Sequence, residues 1–188
     1  PRYHVTDAYA DVRRAIRRMR LNAENYGIDD ERIGVTGGSA GGHLSLMLGL
    51  AADKGLADAD DEVMRVSNEV AAVVAYYPPV DLRRLTGPND RFPALNFPSQ
   101  DAPAISPILH VDPMDPPTLL IHGDADELVN ISNSEILFTE FQKHEVTADF
   151  ITIPGAGHGF RGEDAVMAAR ARLQWFSHHL LGTTATSD

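Results

Sequence analysis

Gly37-Gly38-Ser39-Ala40-Gly41-Gly42 constrains this chain more than any other stretch. It follows the apolar run Arg32-Ile33-Gly34-Val35-Thr36 and opens the helix-like run His43-Leu44-Ser45-Leu46-Met47-Leu48. A serine at the centre of G-x-S-x-G, pinched between a strand and a helix, sits on a turn too tight for most side chains. Glycines at 37 and 41 are expected to remove Cβ atoms that would otherwise clash there. Such a turn lifts the Ser39 hydroxyl clear of the sheet. It also aims the free N–H groups of the helix's first turn at whatever Ser39 attacks. An ordinary glycine-rich strand-to-helix turn shares the local pattern, so the case for a nucleophile needs partners elsewhere in the chain. A phosphate loop would need Lys-Ser or Lys-Thr after the glycines, and none follows.

Composition narrows the classes. A length of 188 residues suits one domain. The formal net charge of -11 argues against nucleic acid and anionic membrane as partners. The longest apolar stretches are broken by Gly, Asp or Pro well short of a membrane span. Cysteine is absent, which removes disulfides, thiolate metal sites and a cysteine nucleophile from consideration. That fits a reducing cytosol and is compatible with export. The first residue is Pro1, so a signal peptide would lie upstream of it.

Periodicity predicts an alternating architecture. Val5, Ala8, Val12, Ala15, Ile16, Met19 and Ala23 recur at helical spacing, with Gly27 as the expected stop. Residues 33–36 read as a short buried strand and 40–53 as the helix after the serine. Acidic residues 58–62 read as a solvated loop. Glu69 to Tyr77 is continuously apolar and β-branched after its first residue, which suits a strand buried on both faces and stopped by Pro78 and Pro79. The Pro-, Asp- and Asn-rich segment 81–117 reads as a lid-like insert. Strands at 118–121 and 148–153 and helices at 132–143 and 164–181 complete the pattern. The polar tail 183–188 is expected to be flexible. This order argues one α/β domain over 1–182, with a mostly parallel sheet and helices on both faces.

In an open parallel sheet, chemistry collects at the carboxyl ends of the strands. Two ends carry the groups a serine needs. One strand runs into His122-Gly123-Asp124-Ala125-Asp126, another into Pro154-Gly155-Ala156-Gly157-His158-Gly159-Phe160. Imidazole titrates near neutrality and can take the serine proton, and a carboxylate then holds its tautomer. His158 is the one histidine of eight in a glycine-flanked turn right after a strand. Asp126 is preferred over Asp124, because Asp124 directly follows the His-Gly turn and is better placed to cap it. His43 and His122 read as supporting or merely packed. His178 and His179 suit a helix C-terminus, and His4, His110 and His144 read as structural or solvated. No pair of His or carboxylates has helix-ligand spacing near the serine, so neither a metal nor another cofactor is expected.

Together these residues resemble the α/β-hydrolase superfamily, whose chain order is also Ser, Asp, His. Within it they resemble the acetyl-xylan, feruloyl and hormone-sensitive-lipase-like carboxylesterases. The resemblance runs through Tyr26-Gly27-Ile28-Asp29, Gly38-Ser39-Ala40-Gly41-Gly42-His43-Leu44 and Ser106-Pro107-Ile108. It continues in Pro117 to Asp126 and Gly157-His158-Gly159-Phe160. It implies a catalytic Ser39, Asp126 and His158, and an oxyanion donor in the Ala40 N–H. Gly38, Phe92, Phe97 and Phe160 are the candidate substrate-binding residues, with Phe92, Leu95 and Phe97 walling a pocket; Arg83, Arg84 and Arg91 read as solvated.

The chain departs from this pattern at its start. Relatives carry further strands there, including a His-Gly-Gly-Gly turn that supplies more oxyanion donors, and no such motif occurs here. One donor is worth about 10²–10³ in kcat, so the chain alone is expected to be a poor esterase. Without those strands, Ile33-Gly34-Val35 becomes an open sheet edge. The expectation is a homo-oligomer or association with a missing N-terminal segment. The reading is a serine carboxylesterase acting on a small-molecule ester. Its alternatives are an amide-cleaving relative, such as an arylformamidase or peptidase, and a non-catalytic hydrolase-fold module.

Overall fold

The computed structural model describes residues 3–182. Four strands, β1 (Gly34–Gly38), β2 (Ala72–Tyr76), β3 (Thr118–Gly123) and β4 (Ala148–Ile153), form one sheet in sequence order, and every pairing is parallel. Five helices accompany them: α1 (Val5–Leu21), α2 (Ala23–Tyr26), α3 (Ala40–Leu50), α4 (Ser132–Lys143) and α5 (Gly162–Leu181). The 148–153 strand and the 132–143 helix stand where the periodicity puts them. The strand before the serine begins one residue later than expected and runs on to Gly38, and the helix after it stops at Leu50. Gly27 ends α2 in the left-handed conformation, with φ 64°. The tail 183–188 lies outside the described residues.

Side chains alternate across the sheet as a pleat requires. Val73, Ala75 and Leu120 face one way and pack on Leu46 and Leu50 of α3 and on Leu137 and Phe141 of α4. Val74, Leu119, Ile121 and Ile153 face the other way, onto Ala168 and the half-buried Trp175 and Phe176 of α5. The sheet is therefore covered on both faces, and β2 and β3 are buried almost throughout. β1 and β4 are the two edges: among the described residues β1 pairs only with β2 and β4 only with β3.

α3 is buried on nearly all sides, because α1 covers the face that the sheet does not. Polar groups of α1 tie the two together. The Tyr9 hydroxyl donates to Ala51 O at 2.7 Å, satisfying a carbonyl at the end of α3. Arg17, 1% exposed, bonds Asn68 Oδ1 at 2.9 Å as well as Asp53 and Val66 O. Segment 81–117 is built of three short 3-10 turns, Pro93–Leu95, Ser99–Ile105 and Pro107–Leu109. Four of its apolar residues pack inward. Leu82, Phe97, Ala102 and Ile105 join Val5, Tyr9 and Met47 in one cluster. Phe97, expected to wall a pocket, is 6% exposed and packs into this core cluster. A wall of aromatics and a core plug have the same sequence signature, and burial decides between them.

His43 sits in the first turns of α3, 1% exposed, with its Nδ1–H donated to Pro79 O at 3.0 Å. Burial pushes it from 6.5 down to about 4, against the smaller opposing effect of the Pro79 bond. The folded chain resists a proton that the unfolded chain accepts below pH 6.5. Stability from this residue is complete above pH 6.5 and is lost as pH falls to about 4, by roughly 3 kcal/mol in all. Asp115, raised to about 6 chiefly by burial, acts in the opposite direction. The difference between wild type and His43→Asn therefore isolates the effect. Urea unfolding from pH 7 to pH 4 is expected to show that difference shrinking as pH falls; a constant difference would refute it.

Candidate active site

Ser39 ends β1 and caps α3, and its backbone is left-handed at φ 56°, ψ -118°. A non-glycine residue holds that conformation only where its surroundings impose it. Here the Ser39 N–H donates to Tyr76 O of β2 at 3.0 Å, and Ser39 O accepts from His43 N at 2.9 Å. The serine is thus clamped between strand and helix. The turn closes because Gly37 has no side chain: a Cβ there would lie 2.4 Å from the Gly41 carbonyl carbon. The matching expectation for Gly41 fails, since a Cβ on it would meet nothing within 4 Å. It is the Gly41 backbone, not the lack of a Gly41 Cβ, that makes the turn tight. Ser39 is half-buried and Ala40 exposed, and α3 starts at Ala40, so the Ala40 N–H has no intrahelical acceptor.

The other two strand ends meet each other. His158 Nδ1 lies 2.7 Å from Asp126 Oδ2. A carboxylate oxygen only accepts, so the proton is on Nδ1 and Nε2 carries the free lone pair. The approach depends on Gly123, the last residue of β3. A Cβ there would lie 2.1 Å from Ala156 O, so the turns after β3 and β4 stack backbone against backbone. Ala125 N to Ala156 O, 3.0 Å, stitches them together. Asp124 adds a second stitch, because its carboxylate accepts the Gly155 N–H at 2.6 Å. Asp124 thus caps the neighbouring turn rather than its own, and Asp126 is the carboxylate on the histidine.

Asp126 is buried and well supplied with donors. Its Oδ1 accepts the Leu128 and Val129 N–H groups, both at 2.9 Å. Burial alone would raise its carboxyl, but the Val129 N–H, His158 and the Leu128 N–H outweigh it and hold the group below its usual range. His122, fully buried, adds a further contact: its Nε2 lies 2.8 Å from Val129 O and 3.3 Å from Asp126 Oδ2. Both are acceptors, so Nε2 must carry the proton, and Ser134 Oγ–H donates to Nδ1 at 2.8 Å. Burial pushes His122 down, which keeps it neutral in this bridge. The sequence left His122 between supporting and packed. Here it props the carboxylate loop.

A depression of about 450 Å³ opens beside His158, lined by Arg91, Ala125, Glu127, Leu128 and Gly157. Phe92 does not line it; its exposed ring lies under the Arg91 guanidinium, 5.3 Å from the ring centroid. Segment 81–117 therefore reaches this depression through Arg91, which is solvent-exposed as expected. Phe160 is half-buried, edge-on to Tyr76 and Tyr77 at 6.0 and 5.0 Å. Tyr77 itself was missed. Its ring centroid lies 4.5 Å from that of His158, and its hydroxyl lies against Gly38. A tyrosine at a strand end carries no local signal for such a role. His178 and His179 stay at the end of α5, His178 against His179 and His179 against Trp175. His110 and His144 each bond a backbone carbonyl.

The BD-FAE family model matches residues 2–141. The chain belongs to the BD-FAE family. Two curated relatives from Mycobacterium tuberculosis are esterases by name: LipQ, 30% identical over 87% of this chain, and LipC, 32% identical over 80%. The chain spans 40% of the length of each. Among solved structures, Thermogutta terrifontis esterase 2 phosphorylated by paraoxon aligns with a TM-score of 0.79 and 27% identity, over 100% of this chain and 68% of that one. The fold is that of the α/β-hydrolases.

The Gly123 contact makes a stability prediction. Gly123→Ala is expected to lower the unfolding free energy by about 1–3 kcal/mol, the usual range for forced overpacking. Gly157→Ala would place its Cβ at an ordinary 3.7 Å from Ala125 O and should change little. Urea unfolding of the pair measures the contrast, and equal losses would mean that the two turns do not depend on this approach.

Proposed function

We propose that this chain is the catalytic part of a serine carboxylic ester hydrolase. The observation that carries the reading is the His158–Asp126 contact of 2.7 Å, at strand ends that share a sheet edge with the Ser39 elbow. Esterase relatives and esterase structural neighbours support ester hydrolysis as the reaction class.

In this reading the His158 Nε2 lone pair takes the Ser39 proton as Oγ attacks the ester carbonyl carbon. The imidazolium that forms is stabilised by the Asp126 carboxylate, which its donors keep ionised. The carbonyl oxygen becomes an oxyanion and accepts the Ala40 N–H, with the dipole of α3 pointing the same way. His158 then gives its proton to the departing alcohol. Water repeats the sequence on the Ser39 acyl-enzyme, releasing the acid and restoring the serine. Short-chain acyl or aryl esters are the proposed substrates, with Gly38 beside the serine and the depression at His158 receiving the leaving alcohol. The unpaired edge of β1 is the proposed surface for association with a second copy or with a preceding segment.

Mass spectrometry of the purified protein before and after a fluorophosphonate is the first test. Wild type is expected to gain one adduct and Ser39→Ala none, while Asp126→Asn is expected to lower ester turnover about 10⁴-fold. Native spectra of the same sample read association as a dimer or a second polypeptide. A wild-type chain that takes no adduct, or an adduct that survives Ser39→Ala, overturns the reading. Faster turnover of anilides than of matched esters would move the assignment to amide cleavage.

A further inference from the structure

Tyr77 is the first residue after β2 and, like Ser39, it is held in the left-handed region, at φ 36°. For a bulky aromatic residue this is a strained backbone, which persists only when its neighbours over-determine it. The Tyr77 N–H donates to Ile121 O at 2.9 Å, which keeps it tied to β3, and Pro78 then restricts the way the chain leaves the sheet. The strain decides where the ring goes. It lies 4.5 Å from the His158 ring and 6.4 Å from His122, with Phe160 edge-on behind it at 5.0 Å and 84°. On its other side the phenol abuts Gly38, where a Cβ would come within 2.7 Å of the hydroxyl oxygen. The strand order explains the position. Ser39 follows β1, Asp126 follows β3 and His158 follows β4, so the end of β2 fills the gap between nucleophile and acid–base pair.

We propose that Tyr77 is a positioning residue for the hydrolysis: its ring, braced by Phe160, is the platform that keeps His158 turned toward Ser39. The proposal rests on the Ser39–His158–Asp126 reading. An imidazole held through one ring nitrogen can still swing and tilt about that hydrogen bond. Asp126 fixes His158 at Nδ1, and the Tyr77 ring closes off one side of the swing. The role belongs to the ring and not to the hydroxyl, for which burial and the neighbouring Tyr76 and Asp126 disfavour ionisation. Phe160 is assigned here as the brace of that ring and not as a substrate contact.

The experiment compares wild type, Tyr77→Phe and Tyr77→Gly on p-nitrophenyl acetate, and follows the low-field His158 Nδ1 proton by NMR. Glycine accepts a positive φ, so Tyr77→Gly removes the ring while relieving the strain, and circular dichroism checks that it folds. Its kcat is expected to fall about 10- to 100-fold, the cost of a misplaced catalytic group, with KM little changed. Its Nδ1 proton should broaden or vanish, whereas Tyr77→Phe should retain both turnover and signal. A folded Tyr77→Gly with wild-type kcat and an intact signal overturns the proposal. A Tyr77→Phe that falls as far as Tyr77→Gly also overturns it, by assigning the effect to the hydroxyl. If Ser39→Ala turns over ester as fast as wild type, the triad reading is what fails, and the NMR signal still decides whether Tyr77 holds His158.

Discussion

The left-handed backbone at Ser39 is the constraint on which the rest of the site depends. A side chain in that conformation costs of order 1–3 kcal/mol, so the structure must hold it from both sides. It does so with the Tyr76 carbonyl on the strand side and the His43 N–H on the helix side. Both partners exist only because β1 pairs with β2 and α3 packs flat on the pair. The close approach of Gly37 to the Gly41 backbone sets how sharply α3 leaves the sheet. Parallel pairing then does the remainder. It brings every strand's carboxyl end to one side of the molecule, and three of the four ends supply the serine, the carboxylate and the histidine.

The electrostatics of the site are a contest in which hydrogen bonds beat burial at one residue and lose at two others. Asp126 is as buried as the core around it, yet its N–H donors keep it charged. His122 and His43 have fewer favourable partners for a charged form, so burial wins and both are pushed down. The result is a single charged carboxylate under His158, flanked by a neutral histidine that can only donate to it. This is a stiff arrangement. The four groups that hold Asp126 come from its own loop, from β3 and from the turn after β4, so no one of them can move independently.

The platform under His158 belongs to the same design. Two strained residues, Ser39 and Tyr77, end neighbouring strands, and the phenol of the second lies against the residue that precedes the first. Strain that is stored where two strands end is sustained by the pairing of those strands. The edge is a different matter. β1, which leads into the Ser39 turn, has among the described residues a neighbour on one side only, as does β4 at the opposite edge.

Much of this was legible in the residues because it is local. A G-x-S-x-G turn between an apolar run and a helical run can be built in few ways, and a glycine-flanked histidine after a strand is an equally short signal. The alternation of strand and helix implied the parallel sheet, and the sheet implied where the chemistry gathers. Asp126 and Asp124, two residues apart, could be ranked by turn chemistry, but their actual partners depend on Gly123 letting Ala156 approach. Phe97 and Phe92 could not be sorted at all, since a core plug and a pocket wall are both aromatic residues in a proline-rich loop. Arg91 at the mouth, His122 under the carboxylate and Tyr77 under the histidine were decided by tertiary structure alone. Each acts through residues at least four, and in most cases dozens, of positions away, brought near by strand order and by side chains competing for one buried space, and no pattern along the chain records that competition.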